Sequence, residues 1–274
     1  MTPEELLAQL KDGTNAQAEV YKGKDPMWLY HFSTMRWNLL DWYPFQPDQD
    51  ILQIGCGYGA MLGLFSKRMH GVCGVTNDPI QEEINIERYK DVENIRIIRC
   101  DLASIPEGKY DYVYLECGEE GANKMLNEDQ NLVTLIETAY PYLKKDGKFI
   151  IALNNAIGIS RLAGGKDYHA KDFFDESKCV EDGLLYSQAE LKNIISKQDL
   201  ELEEMYYPIP DFRLPREIYS SKYLPKEGTI RQLGYSYGQL CFSAFPEDDV
   251  MREMCKNKCF EQMANSFLVI ATKN

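Results

Sequence analysis

The chain has 274 residues, 44% of them hydrophobic and 27% charged, with a formal net charge of −13. That length accommodates one large α/β domain with insertions, and the acidic balance without a basic run argues against nucleic acid as a main partner. No stretch reaches the roughly 20 apolar residues of a membrane span. The N-terminus has no signal-peptide pattern, so a cytoplasmic location is expected. The eight cysteines are scattered through apolar runs rather than paired in metal-binding spacings. They are expected to be reduced, and no metal is expected.

Residues 1–45 are expected to form a helical extension or lid, rich in the aromatics Trp28, Tyr30, Phe32, Trp37, Trp42 and Tyr43. The core, 46–274, opens with the apolar run Ile51-Leu-Gln-Ile54, a buried strand that feeds glycines at alternate positions, Gly55, Gly57 and Gly59, around Cys56. Glycine permits positive φ and lets a ligand approach the backbone. A helix expected from about Ala60 would present its N-terminus to an anion. The loop is thus a nucleotide-type cradle.

From there strands and helices alternate, as in a parallel sheet covered on both faces. Gly71–Thr76 is the expected second strand, followed by Asp78 as N-cap and Pro79 at the first position of a helix to about Lys90. The third strand, 94–100, ends at Asp101 with Leu102 beside it, and the fourth, 110–115, ends near Glu116. A helix over 128–142 leads through the turn Lys144-Lys-Asp-Gly147 into a fifth strand, 148–153. Two irregular insertions follow, at about 154–186 and 208–260, with a helix at 187–197 and a strand at 200–207 between them. A final strand covers 267–272.

The spacing Gly55-x-Gly57-x-x-Ala60 also satisfies a loose dinucleotide fingerprint. The surrounding order distinguishes the two. With the glycine loop, Asp101 closing strand 3, the strand Tyr110-Asp-Tyr-Val and the Leu-Lys-Lys-Asp-Gly turn, the chain resembles the class I S-adenosylmethionine-dependent methyltransferases. The resemblance implies a Rossmann-like sheet of seven strands finishing in an antiparallel hairpin, with S-adenosyl-L-methionine as cofactor. Gly55, Cys56, Gly57 and Gly59 would then underlie its methionine portion, Asp101 and Leu102 its adenine, and Glu116 the strand-4 edge. The family usually ends strand 2 in an acid that grips the ribose. Here Thr76 and Asn77 stand there, and Asp78 comes two residues late.

The segments Asp167-Tyr-His169, Tyr206-Tyr-Pro-Ile-Pro-Asp-Phe-Arg213-Leu-Pro and Phe32-Ser-Thr-Met-Arg36-Trp are similar to a bacterial methyltransferase group associated with cell-surface glycosyltransferases. That group reads Glu-Asp-His at the first of these, so one acid is missing here. The resemblance implies O-methylation of a small polar or glycan-like acceptor, and a glycosyltransferase is a conceivable partner. His169 is the candidate general base, with Asp167 to orient it or to bind sugar hydroxyls. Arg36 and Arg213 are candidate clamps for an anionic group, and Tyr206 leads a candidate aromatic wall with Tyr207, Phe212 and Tyr219. His31 reads as a packed or lid histidine. The rival readings are a small-molecule N- or O-methyltransferase of specialised metabolism and a non-catalytic, cofactor-binding partner of a glycosyltransferase.

Overall fold

The computed structural model describes residues 2–13, 26–118, 120–164, 179–180, 183–230 and 244–274. The first five strands are β1 (Asp50–Ile54), β2 (Gly71–Thr76), β3 (Ile95–Arg99), β4 (Tyr110–Cys117) and β5 (Leu143–Asn155). They pair in parallel in the order β3-β2-β1-β4-β5. Two-residue β6 (Cys179–Val180) and β7 (Gly183–Tyr186) attach at the end of β5. The remaining strands are β8 (Leu200–Ile209), β9 (Glu217–Ser220) and β10 (Ser266–Lys273). β10 runs antiparallel between β5 and β8, and β9 closes the sheet antiparallel to β8. The Rossmann-like sheet is therefore present, with ten strands among the described residues rather than the seven expected. The three extra strands are short ones lying in the two stretches expected to be irregular.

Burial follows from position in the sheet. Central strands covered on both faces need apolar residues at every position, not at alternate ones. On β5, Phe149, Ile151 and Leu153 enter one core layer while Ile150 and Ala152 enter the other. Each of the larger of these side chains contributes about 1.5–3 kcal/mol by leaving water, and Ala152 less.

The helices are α1 (Pro3–Lys11), α2 (Pro26–Phe32), α3 (Leu62–Arg68), α4 (Pro79–Arg88), α5 (Leu132–Ala139), α6 (Ile159–Leu162), α7 (Gln188–Lys197), α8 (Glu247–Lys256) and α9 (Phe260–Met263). Asp78 caps α4 as its sequence suggests, accepting from the backbone N–H groups of Ile80 and Gln81 at 2.7 and 2.9 Å. α3 starts at Leu62, two residues later than expected, because Ala60 and Met61 are still turning out of the glycine loop. The Lys144–Gly147 turn is absorbed into β5. Its register against β4 jumps from Tyr110↔Leu143 to Tyr112↔Lys148, and Asp146 takes a positive φ of 59° in the looped-out segment.

The N-terminal segment packs on the glycine-loop side of this core. Leu6 and Leu7 of α1 and Trp28 and Phe32 of α2 share one buried cluster with Tyr58 of the loop and Ile84 of α4. A 3-10 turn, Thr34–Leu39, then leads toward β1.

Candidate active site

The carboxyl ends of β1–β5 form one edge, where open α/β sheets bind ligands. Gly55, Gly57 and Gly59 have φ of 70°, 50° and 81°, a region that residues with a Cβ occupy at a cost. A Cβ on Gly55 would lie 2.3 Å from the Ala122 backbone, and one on Gly57 2.6 Å from the Glu120 carbonyl oxygen. The loop is thus closed against the segment that follows β4. α4 holds its carbonyls: Asn85 Nδ2 donates to Gly57 O at 2.7 Å, Arg88 to Tyr58 O at 2.7 Å, and Tyr89 Oη to Gly59 O at 2.6 Å. Cys56 is buried beside Cys73, and burial first, then Cys73, pushes its thiol up to about 12. It is therefore a packing residue without nucleophilic character at neutral pH.

At the end of β2, Thr76 is buried and its hydroxyl is already engaged. Oγ1 donates to Gln81 Oε1 at 2.6 Å and accepts from the Asp78 N–H at 3.2 Å. Asn77 is exposed and donates to the Lys124 carbonyl at 3.0 Å. Gln81, also buried, passes the contact on by donating to Glu120 Oε2 at 2.7 Å. Asp101 closes β3 at the N-cap of a short 3-10 turn (Leu102–Ser104), yet its side chain makes no capping bond. Its carboxylate is exposed beside buried Leu102.

The densest polar group lies at the end of β4. Tyr114 and Glu116 are two apart on the strand and share a face. Glu116 pairs with Arg36 from the 3-10 turn, and accepts from Tyr30 of α2 and, at 2.9 Å, from Tyr114. Arg36 also donates to the Phe212 carbonyl, and its guanidinium lies 5.0 Å from the Tyr30 ring centre and 5.5 Å from that of Phe212. Burial alone would lower the Arg36 pKa, but Glu116 and the two tyrosines outweigh it and hold the charge firmly. Burial first, with Glu116 adding to it, raises Tyr30 and Tyr114 well above the usual tyrosine range, so both remain hydrogen-bond donors.

Arg36 was expected to clamp an anionic ligand. Fully buried, it takes the protein's own carboxylate instead, because a desolvated cation needs a counter-charge at hand. Arg213 behaves similarly, forming a forked contact with Asp211 at 2.7 and 3.2 Å. Burial would raise the Asp211 carboxyl, but Arg213 holds it below the ordinary range.

His31 is buried against Tyr30 and Tyr58, with ring centres 4.6 and 4.9 Å away. Its Nε2 has no hydrogen-bond partner within the protein. Burial first, then Arg36 and Arg88, lowers its pKa to about 3, so the imidazole is neutral. Tyr30 and Gln81 were not foreseen as site residues. Tyr30 was legible only as one aromatic among many, and Gln81 only as a residue in the first turn of α4.

The expected aromatic wall divides. Phe212 reaches the β4 end, whereas Tyr206 stacks on Trp42 at 4.7 Å. Tyr207 is buried and bonded to Gln188 and Glu261, and Tyr219 packs on Phe260. His169 and Asp167 lie outside the described residues. Among the described residues no group of three or more His, Cys, Asp or Glu side chains is gathered as for a metal ion.

A family model described as a methyltransferase domain matches residues 52–151, the stretch from β1 into β5. Over that stretch the chain is a class I S-adenosylmethionine-dependent methyltransferase domain. Among solved structures, this methyltransferase is similar to geranyl diphosphate C-methyltransferase from Streptomyces coelicolor in complex with geranyl diphosphate and S-adenosyl-L-homocysteine. Identity there is 15% and the TM-score 0.51, over 89% of this chain and 79% of that one. It is also similar to phosphoethanolamine N-methyltransferase 1 of Haemonchus contortus, at 12% identity and a TM-score of 0.52, over 99% of this chain and 50% of that one. At such identities the likeness is one of fold. No curated protein matches the chain in sequence.

S-adenosylmethionine is the cofactor, and the β1–β4 edge fits it. The methyltransferase presents a loop that only glycine can form, an uncapped exposed carboxylate at Asp101 and an unpartnered buried imidazole nitrogen at His31. No helix among the described residues is long and apolar enough to cross a membrane.

Proposed function

We propose that this methyltransferase methylates a hydroxyl of a small polar or glycan-like acceptor. One observation carries the reading: the charges at the β4 and β8 ends are already paired, Glu116 with Arg36 and Asp211 with Arg213. An ammonium acceptor would find no unpaired carboxylate in either pair. A neutral polyol would meet polar groups without having to displace a charge.

Bound S-adenosylmethionine supplies an electrophilic methyl group, and the protein contributes placement and proton removal. Gly55, Cys56, Gly57 and Gly59 offer backbone to the methionine end. Asp101 accepts from the adenine amine, with Leu102 against the ring. Tyr30, His31 and Arg36 close the site from the N-terminal side, and Phe212, with the Asp211–Arg213 pair beside it, borders the acceptor. His169 takes the hydroxyl proton, oriented by Asp167. A glycosyltransferase that makes the acceptor is the partner this reading favours.

Mass analysis of a panel of oligosaccharides and small metabolites, incubated with enzyme and S-adenosylmethionine, tests it. A gain of one methyl on hydroxyl-bearing acceptors is expected. Transfer confined to amines would overturn the reading, and unchanged turnover in His169→Ala would remove the base assignment.

A further inference from the structure

The end of β2 lacks the acid that dinucleotide and related folds place against ribose hydroxyls. Thr76 stands there, and its hydroxyl is spent on Gln81 and the Asp78 N–H. Yet a carboxylate does reach this place, from another strand. Glu120, in the loop after β4, is joined through Gln81 to Thr76 by bonds of 2.7 and 2.6 Å. Its own carbonyl oxygen sits where a Cβ on Gly57 would intrude, at 2.6 Å. Glu120 therefore lies between the glycine loop and the β2 end.

Two further features suit a ligand contact. Glu120 adopts φ 59°, a conformation a non-glycine residue holds only when its surroundings enforce it, and one that gathers at ligand sites. Its carboxylate also has capacity to spare. A carboxylate accepts about four hydrogen bonds; here Oε2 takes one from Gln81, and the Lys124 ammonium stands 4.0 Å from Oε1. Two vicinal hydroxyls can be served by what remains.

We propose that Glu120 supplies the ribose-binding carboxylate of this methyltransferase, positioned by the buried Gln81 in place of an acid at the end of β2. The proposal rests on S-adenosylmethionine as cofactor and deepens that assignment. It makes the cofactor grip depend on the β4 loop, so ribose binding orders the same segment that closes on Gly55 and Gly57.

Isothermal titration of S-adenosylhomocysteine and its 2′-deoxy analogue into wild type and Glu120→Gln tests this. Wild type is expected to bind the deoxy analogue at least tenfold more weakly than the parent compound. Glu120→Gln should weaken the parent about tenfold and erase most of the difference between the two ligands. An equal penalty for the deoxy analogue in both proteins would overturn the proposal, as would tighter binding by the variant, which would mark Glu120 as an obstruction. The wild-type comparison alone remains decisive should the variant fold poorly: no penalty for the missing hydroxyl there also overturns it. Loss of all S-adenosylhomocysteine binding by folded wild type would instead overturn the cofactor assignment itself.

Discussion

The guanidinium of Arg36 and the carboxylate of Glu116 form an ion pair in which the two side chains are 0% and 8% exposed. One comes from the turn that enters the core and the other from the end of β4, so the pair fastens the N-terminal segment across the ligand edge. Tyr30, on the same segment, adds a second bond to the same carboxylate.

Removing one partner of such a pair leaves a buried, uncompensated charge, which costs about 3–5 kcal/mol. Arg36→Met should lower the unfolding free energy by that order in urea titrations. The double variant Arg36→Met with Glu116→Gln should recover part of the loss. A single variant within 1 kcal/mol of wild type, on the same scale of about 3–5, would show that the pair is dispensable.

Gly55 combines a left-handed φ of 70° with a Cβ position 2.3 Å from the Ala122 backbone. The conformation alone costs a Cβ-bearing residue about 1–2 kcal/mol, and the contact must also push the 120–122 segment away. Gly55→Ala is expected to unfold at lower denaturant and to lose S-adenosylhomocysteine binding in titration calorimetry. Wild-type affinity would contradict the closed-loop account.

His31 carries a pH dependence whose sign is set by its pKa of about 3 in the folded state, below the ordinary histidine value of 6.5 because of its burial. The unfolded chain binds the proton more readily, so stability due to this residue is present above the unfolded value and is lost as pH falls toward the folded one. Wild type should therefore lose stability relative to His31→Phe as pH drops from 7 to 4, whichever of the two is the more stable at neutral pH. Parallel curves by chemical denaturation at each pH would show that His31 is not held neutral.

Asp101 occupies an N-cap position without capping, so its replacement should separate binding from folding. Asp101→Asn is expected to keep the wild-type melting curve and to weaken S-adenosylhomocysteine about tenfold, the effect of roughly 1.4 kcal/mol in a binding constant. A lowered melting temperature with unchanged affinity would return Asp101 to a structural role.

Local devices were readable along the chain because neighbours in sequence complete them. The Asp78-Pro79 start of α4 and the glycine turn each depend on φ preferences and on bonds spanning two or three residues. The parallel order of β1–β5 was equally legible from the alternation of apolar runs and helices. The edge strands β6, β7 and β9 were not, since short strands in polar stretches carry too few side chains to show a period.

The sequence by itself determined the Rossmann-like core, the glycine cradle and the absence of an acid at the end of β2. Only the tertiary structure decided what Arg36, Glu116 and Glu120 face. Tyr30 meets Glu116 across 86 positions and Arg36 meets Phe212 across 176. A charge's partner is chosen by which chain ends the sheet brings to one edge, and by the cost of burying it alone. Neither is written in the residues beside it.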